Sequence, residues 1–175
     1  GFEKIYEIGR NFRNEGMDAQ HNPEFTMLEA YIAYKDTDFL KTFIKELFEF
    51  LVSKLNNENL EIEYGGKKIN FRNWEEKKYD DVIKEFKDLE IAKKNFIQPT
   101  FVTEFPKDLL PLSKTLKKNP AKADAFQVFA GGLELIKAFT ELNDPLEQQK
   151  RFESQEKLRV EGDKEAQRLD EDFIE

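Results

Sequence analysis

Residues 10–31 read RNFRNEGMDAQHNPEFTMLEAY, and the way this stretch divides decides the fold. Its flanks are apolar and aromatic, FEKIYEIGRNF over 2–12 and FTMLEAYIAY over 25–34, and both read as strands. Between them runs a polar segment, 14–23, with Gly16, Asn22 and Pro23 as turn formers. Two strands joined in this way make a hairpin with a long loop.

The same stretch concentrates chemistry. Arg13 and Glu15 are two apart and face one side of an extended backbone. Arginine is the side chain best matched to phosphate oxygens, because its planar fork donates two parallel hydrogen bonds. A glutamate beside it can accept from an exocyclic amine. His21 lies on the loop within reach of a distal phosphate, and Phe25 offers a flat face to a base. Glu29 and Tyr31 are again two apart, a carboxylate and a phenol that together suit an ammonium group. Each has a plainer reading taken singly. Arg13 with Glu15 would be a surface ion pair worth little, Phe25 and Tyr31 core aromatics, His21 incidental.

Outward from the hairpin, 38–55 is the clearest helix, with apolar residues such as Phe39, Leu40, Phe43, Ile44, Leu47 and Phe48 spaced for one face and Asp36 or Thr37 as cap. It reads as a core-packing helix without chemistry. Residues 60–64 and 67–71 flank Gly65-Gly66, a hairpin signal. A short amphipathic helix is expected over 79–89, and 96–103 is strand-like but interrupted by Pro99. Pro106, Pro111 and Pro120 mark a loop-rich stretch. Strands follow at 125–130 and 133–142 around Gly131-Gly132. Asp144-Pro145-Leu146-Glu147 then opens a helix to about Gly162, with N-cap, first-turn proline and capping box in place. The expectation is six or seven strands, mostly hairpin-linked, with about three helices: an α+β class with an antiparallel β-sheet flanked by helices.

The chain has 175 residues, 28 Lys+Arg against 36 Asp+Glu and a net charge of −8. That length is about one domain. The absence of cysteine excludes disulfide scaffolds and Cys-ligated metal centres, and a single histidine excludes His-pair sites. The charge argues against a free-standing nucleic-acid binder. No apolar run approaches the roughly 20 residues of a membrane span, so no membrane partner is expected. The composition fits a cytoplasmic protein.

FRNEG (12–16) and HNPEFTMLEAY (21–31) resemble motif 2 of the class II aminoacyl-tRNA synthetases, and among them the lysyl-tRNA synthetases. The resemblance implies a partial catalytic core of that family. It implies that Arg13 holds the ATP α-phosphate, Glu15 contacts the adenine amine, His21 (with Asn22 beside it) reaches the γ-phosphate, and Phe25 stacks on adenine. Glu29 and Tyr31 would read the amino groups of L-lysine. A second segment, GLELIKAFTELNDP (132–145), is similar to the family's E-L-x-N-A-[FY]-x-E-L-N-D-P. There the two glutamates, Glu134 and Glu141 here, bind Mg²⁺, and the aromatic, Phe139, helps place the lysine. The asparagine position is Lys137 in this chain, a departure that would set a cation near the substrate carboxylate.

Glu134 and Glu141 are seven residues apart, roughly 23 Å on one straight strand. They share an ion only if the chain turns near Lys137-Ala138.

By the resemblance the chain divides into the motif 2 hairpin (1–34), a helix, small hairpin and shortened insertion (35–95), core strands (96–143) and C-terminal helices (144–175). The family's anticodon-binding domain, motif 1 and motif 3 have no counterpart among these residues, and DEDFIE at 170–175 reads as the start of a further helix. The expectation is therefore a segment of a longer protein, inactive alone. The full-length protein would be a homodimer that activates lysine with ATP and transfers it to tRNA(Lys). Two other readings stand beside this one: a paralogous ligase that modifies a translation elongation factor, and a degenerate homologue acting as a binding module. Asn143 and Glu29-Ala30-Tyr31 favour the synthetase.

Overall fold

A computed structural model describes residues 1–14, 16–17, 21–163, 166 and 168–174. It divides the chain into two units, 1–35 and 36–175.

The first unit is the hairpin expected from the sequence. Strand β1 (Lys4–Phe12) pairs antiparallel with β2 (Glu24–Ile32), in register from Lys4 opposite Ile32 to Phe12 opposite Glu24. The Arg13 amide donates to the Pro23 carbonyl at 2.9 Å and carries the ladder one step into the loop. Cross-strand partners share a face. One face therefore carries Ile5, Glu7, Gly9 and Asn11 with Phe25, Met27, Glu29 and Tyr31. The other carries Tyr6, Ile8, Phe12 and Leu28, all more than half exposed.

The second unit is built on a four-stranded sheet in the order β5-β6-β7-β8. Strand β5 (Glu75–Lys78) runs parallel to β6 (Thr100–Thr103), and β7 (Ala125–Ala130) is antiparallel to both β6 and β8 (Leu133–Phe139). Every residue of β6 and all but Gln127 of β7 are buried, as a strand covered on both faces requires. Helix α1 (Thr37–Leu55) covers one face. Its Leu40, Ile44 and Phe48 pack on Phe101, Phe126, Val128, Ile136 and Ala138. The Asp36 carboxylate caps it by accepting from the Phe39 amide at 3.1 Å. A small hairpin of β3 (Glu61–Tyr64) and β4 (Lys67–Asn70) closes the far end of α1, where Val52 meets Ile69, Phe71 and Ala130. On the opposite face of the sheet, α2 (Tyr79–Phe86) and α3 (Leu89–Lys93) pack Val82 and Ala92 against Phe96, Val102, Ala125 and Phe129.

Both Gly-Gly pairs turn hairpins, with φ of +57° and +73° at Gly65-Gly66 and +62° and +89° at Gly131-Gly132. Two consecutive positive φ values are what a two-residue turn matched to strand twist demands. At Gly131 a Cβ would stand 2.8 Å from the Ile69 side chain, so the turn also needs glycine for close approach.

Three details depart from the sequence reading. Among the described residues there are eight strands, because Glu75–Lys78 (EEKK) joins as a charged edge held through its backbone, with the Glu75 amide donating to the Pro99 carbonyl at 2.8 Å. Residues 96–99 are not strand; their carbonyls at Phe96 and Ile97 receive the Gly132 and Gly131 amides. The helix expected over 79–89 is two, broken at Lys87 with φ +66° and restarted by the Asp88 cap.

Helix α4 (Pro145–Val160) starts where Asp144 and Pro145 place it, the Asp144 carboxylate accepting from Leu146 and Glu147 amides. From its first turns Glu147 and Arg151 hold the loop at 110–115. The Arg151 guanidinium donates to the Ser113 carbonyl at 2.6 Å and to Thr115 Oγ1 at 2.6 Å, and pairs with Glu147. The Thr115 hydroxyl donates to Glu147 Oε1 at 2.6 Å. These bonds, the Thr115 hydroxyl first and Arg151 second, hold the Glu147 carboxyl below its ordinary value near 4.5. A carboxyl lowered on folding stabilises above its unfolded pKa and loses that contribution as pH falls through the folded value. Glu147→Gln is accordingly expected to lower Tm at pH 7 and to flatten the fall of Tm below about pH 4.5, the ordinary value from which the carboxyl is lowered. Thermal melts across pH 2–7 of both proteins check it, and parallel curves would remove Glu147 from the acid transition. A short α5 (Glu171–Ile174) follows, with Phe173 set against Phe152 of α4 at 5.6 Å between ring centroids.

Candidate functional site

The residues singled out in the sequence fall on two surfaces, one in each unit. In the hairpin, alternation puts Arg13, Phe25, Glu29 and Tyr31 on one face. The Arg13 guanidinium carbon stands 5.3 Å from the Phe25 ring centroid, a cation–π contact that fixes both groups. A planar base could share that platform while the guanidinium fork meets an anion. His21 and Asn22 are exposed at the entry to β2. Glu15 lies outside the described residues.

Register adds a residue that the sequence reading passed over. Glu7 stands directly opposite Glu29 on the same face. Like charges directly opposed destabilise a ladder, and no ion pair among the described residues relieves either one. Gly9 gives the Glu7 carboxylate room, since a Cβ at Gly9 would meet Glu7 Oε1 at 3.1 Å. With Tyr31 adjacent, the face presents two carboxylates and a phenol, an arrangement that an ammonium group would neutralise.

In the second unit, Glu134, Lys137 and Phe139 all lie on β8, but a spacing of three between Glu134 and Lys137 would ordinarily set them on opposite faces. A β-bulge resolves this. Val128 pairs with Ile136 and Phe129 with Glu134, so Leu135 is an extra residue and the alternation shifts by one. Glu134, Lys137 and Phe139 thereby lie opposite Phe129, Gln127 and Ala125, on the face away from α1. Gln127 Nε2 donates to Glu134 Oε1 at 3.2 Å.

The turn on which a shared ion depended is absent: β8 runs unbroken through Lys137 and Ala138 to Phe139. The chain then stays extended, with Glu141 bridged to Ser113 and the Leu142 amide donating to the Leu112 carbonyl at 3.0 Å. Glu134 and Glu141 therefore stand on one extended run, roughly 20 Å apart. They cannot chelate one ion, and no cluster of three or more acidic or imidazole ligands occurs among the described residues. Each can supply one oxygen to a hydrated Mg²⁺ that arrives on a polyphosphate, the usual state of protein-bound magnesium. This donor set fits magnesium borne by a nucleotide rather than a resident ion.

Partial dehydration pushes the Glu141 carboxyl pKa up, although much of the side chain reaches solvent. The run that carries it is fastened by Asp124, whose carboxylate accepts from the Thr37 hydroxyl at 2.5 Å and the Thr140 hydroxyl at 2.6 Å. The start of α1 and the approach to Glu141 are thus tied to one side chain. Lys114 Nζ donates to Asn143 Oδ1 at 3.1 Å on the same run.

The family model for class II tRNA synthetases (D, K and N) matches residues 1–175. The chain is 36% identical over 211 residues to the lysine–tRNA ligase of Porphyromonas gingivalis, covering 99% of the chain and 36% of that protein. It is 38% identical over 211 residues to that of Helicobacter hepaticus, with 99% and 40% covered. It is 39% identical over 215 residues to that of Clostridium tetani, with 99% and 43% covered. The chain thus spans about two fifths of the length of these relatives. The matched spans exceed the 175 residues of the chain, so within them the relatives carry tens of residues that this chain lacks.

Proposed function

The chain belongs to the class II tRNA synthetases (D, K and N), and from that premise we propose that it is the ATP- and lysine-binding segment of a lysine–tRNA ligase. The observation that carries this reading is the hairpin register. It sets Arg13 over Phe25 at one end of a face and Glu7, Glu29 and Tyr31 towards the other. One end suits a nucleotide, the other a primary ammonium.

The reaction is attack of the lysine carboxylate on the α-phosphorus of ATP. A carboxylate oxygen forms the new P–O bond, pyrophosphate leaves, and lysyl-adenylate remains. Arg13 neutralises charge gathering on the α-phosphate oxygens. Phe25 stacks on adenine, Glu15 accepts from its amine, and His21 with Asn22 meets the distal phosphates. Glu29 and Tyr31 hold the lysine amine, and Lys137 and Phe139 hold the rest of the amino acid. Glu134 and Glu141 would each supply an oxygen to a separate hydrated magnesium ion entering with the nucleotide, and not to one shared ion. No side-chain nucleophile is required, because positioning and fixed charge account for the rate. In the full-length protein, a cytoplasmic homodimer, the lysyl group passes to tRNA(Lys). No helix among the described residues is long and apolar enough to cross a membrane.

Lysine-dependent ATP–pyrophosphate exchange by the full-length protein tests the reading. Exchange with lysine and not with arginine or ornithine is the expected result. Tight binding of a lysyl-adenylate analogue without exchange would convert the assignment to a binding module. Exchange that proceeds while tRNA is not charged would favour the ligase acting on an elongation factor.

A further inference from the structure

Five lysines and one aspartate fall between 107 and 122, in a chain of net charge −8. Two of the five are engaged by acids. Lys122 is buried and its Nζ donates to Asp80 at 2.6 Å, and Lys107 acts on the Glu147 carboxylate. The other three keep an uncompensated charge. Lys114 Nζ reaches a neutral amide oxygen, that of Asn143, at 3.1 Å. Lys117 and Lys118 are exposed and make no side-chain hydrogen bond or ion pair among the described residues. The turn that carries them is held by its own backbone. Thr115 bridges Ala123, the Leu116 amide donates to the Lys122 carbonyl at 2.8 Å, and the Lys122 amide donates to the Asn119 carbonyl at 2.9 Å. The Asn119 side chain accepts from the Ala121 amide at 3.2 Å, and Pro120 fixes one further angle. At the base of the turn Arg151 holds Ser113 and Thr115. The backbone under all three cations is thus set before any ligand arrives.

That base also abuts the Glu141 run. Ser113 bridges Glu141, and the Lys114 amide donates to the Thr140 carbonyl at 2.7 Å. Lys117 is three residues beyond Lys114, at most ~11 Å along the chain, so the charges lead outward from the candidate site to solvent. A compact anion draws its cations around one point, whereas lysines strung along a surface suit phosphates strung along a backbone. Ammonium groups act there as point charges that position a strand and read no sequence. We infer that Lys114, Lys117 and Lys118 contact the phosphodiester backbone of an RNA strand whose acceptor end enters the candidate site. The inference rests on the tRNA-charging role proposed above and adds the surface that guides the strand. An acidic chain repels RNA over most of its surface, so one basic turn also orients it.

Binding of a labelled tRNA(Lys) transcript to the full-length protein, followed by fluorescence anisotropy between about 50 and 200 mM salt, tests this. Lys117→Gln with Lys118→Gln is expected to weaken binding roughly 10- to 30-fold near 0.1 M salt. It should also flatten the slope of log K against log salt by about 1.4, at about 0.7 per phosphate on a single strand. Lysine-dependent ATP–pyrophosphate exchange, which uses no RNA, stays at the wild-type level. Lys117→Arg with Lys118→Arg binds tRNA as the wild type does. Lys67→Gln with Lys68→Gln removes the same charge from the exposed turn of the β3–β4 hairpin and leaves the slope unchanged. Weaker binding with an unchanged slope in the Lys117 and Lys118 variant, an equal loss in the Lys67 and Lys68 variant, or a fall in exchange that assigns the lysines to the nucleotide would overturn the inference. If the full-length protein binds tRNA with this salt dependence and shows no exchange, the surface stands and the lysine-activating reading fails. If it exchanges with lysine but binds no RNA, or acylates a protein instead, the adenylation reading stands and this inference fails.

Discussion

Replacing Arg13 with alanine in the full-length protein is expected to lower lysine-dependent ATP–pyrophosphate exchange roughly 10³-fold. The guanidinium is set on the Phe25 ring, 5.3 Å from its centroid, and its backbone is pinned by the bond to the Pro23 carbonyl. A charge held in place before the reaction stabilises the transition state without reorganising, and that is where electrostatic catalysis gains most. The loss should fall mainly on kcat, because charge on the α-phosphate oxygens grows as the carboxylate attacks. Arg13→Lys recovers little, since an ammonium has neither the planar fork nor the face that lies on the aromatic ring. Steady-state exchange over a range of ATP concentrations separates the effects. A rise in the KM for ATP with kcat intact would assign Arg13 to ground-state binding, and more than a tenth of the activity remaining would remove it from the chemistry.

The hairpin at 4–32 was legible because three signals coincide there: alternating apolar strands, a turn-rich loop and a spacing of functional residues by twos. The Gly-Gly turns and the Asp144-Pro145 helix start were legible for similar reasons, since each is a local solution to a backbone requirement. What escaped the sequence is non-local. EEKK at 75–78 carries no strand-like side chains, and it becomes β5 only because the β6 edge offers its backbone hydrogen-bonding groups. The bulge at Leu135 is a property of two strands, two residues opposing one, and no single-strand pattern records it. A turn at Lys137-Ala138 was expected only so that Glu134 and Glu141 could share an ion; the strand runs on without it, and the shifted alternation instead sets Glu134, Lys137 and Phe139 on one face. Gln127 left a faint signal, a lone polar residue inside an apolar run. Glu7 left none, because its importance lies in standing opposite Glu29.

Arg151 shows the same limit on a helix, and it carries the largest stability effect expected here. By sequence it is one more charge on the most polar helix of the chain; in the fold it is 8% exposed. Its guanidinium satisfies the Ser113 carbonyl, reaches the Leu110 carbonyl at 3.4 Å, and holds Thr115 and Glu147. Arg151→Met keeps the length of the stem and removes every donor. Two loop carbonyls and the Glu147 carboxylate then lose their charged partner, and removing one member of such a buried set costs about 3–4 kcal/mol. For a protein of this size that corresponds to a fall in Tm of roughly 6–16 °C. Arg151→Met with Glu147→Met is expected to recover part of the loss, because no carboxylate is left unpaired, yet not all of it, because the Ser113 carbonyl still lacks its donor, while that of Leu110 keeps the Ser113 amide and hydroxyl. The consequence extends to the candidate site. Ser113 bridges Glu141, and the Lys114 amide donates to the Thr140 carbonyl at 2.7 Å, so the loop that Arg151 holds is the one that positions the Glu141 run. Hydrogen exchange should therefore speed up at Lys114 and Leu142 in Arg151→Met before it does so in β6 and β7. A uniform acceleration through the sheet would mean that Arg151 stabilises the fold as a whole, and a change in Tm below about 2 °C, too small for the loss of even one kcal/mol, would show that the guanidinium does not hold the loop.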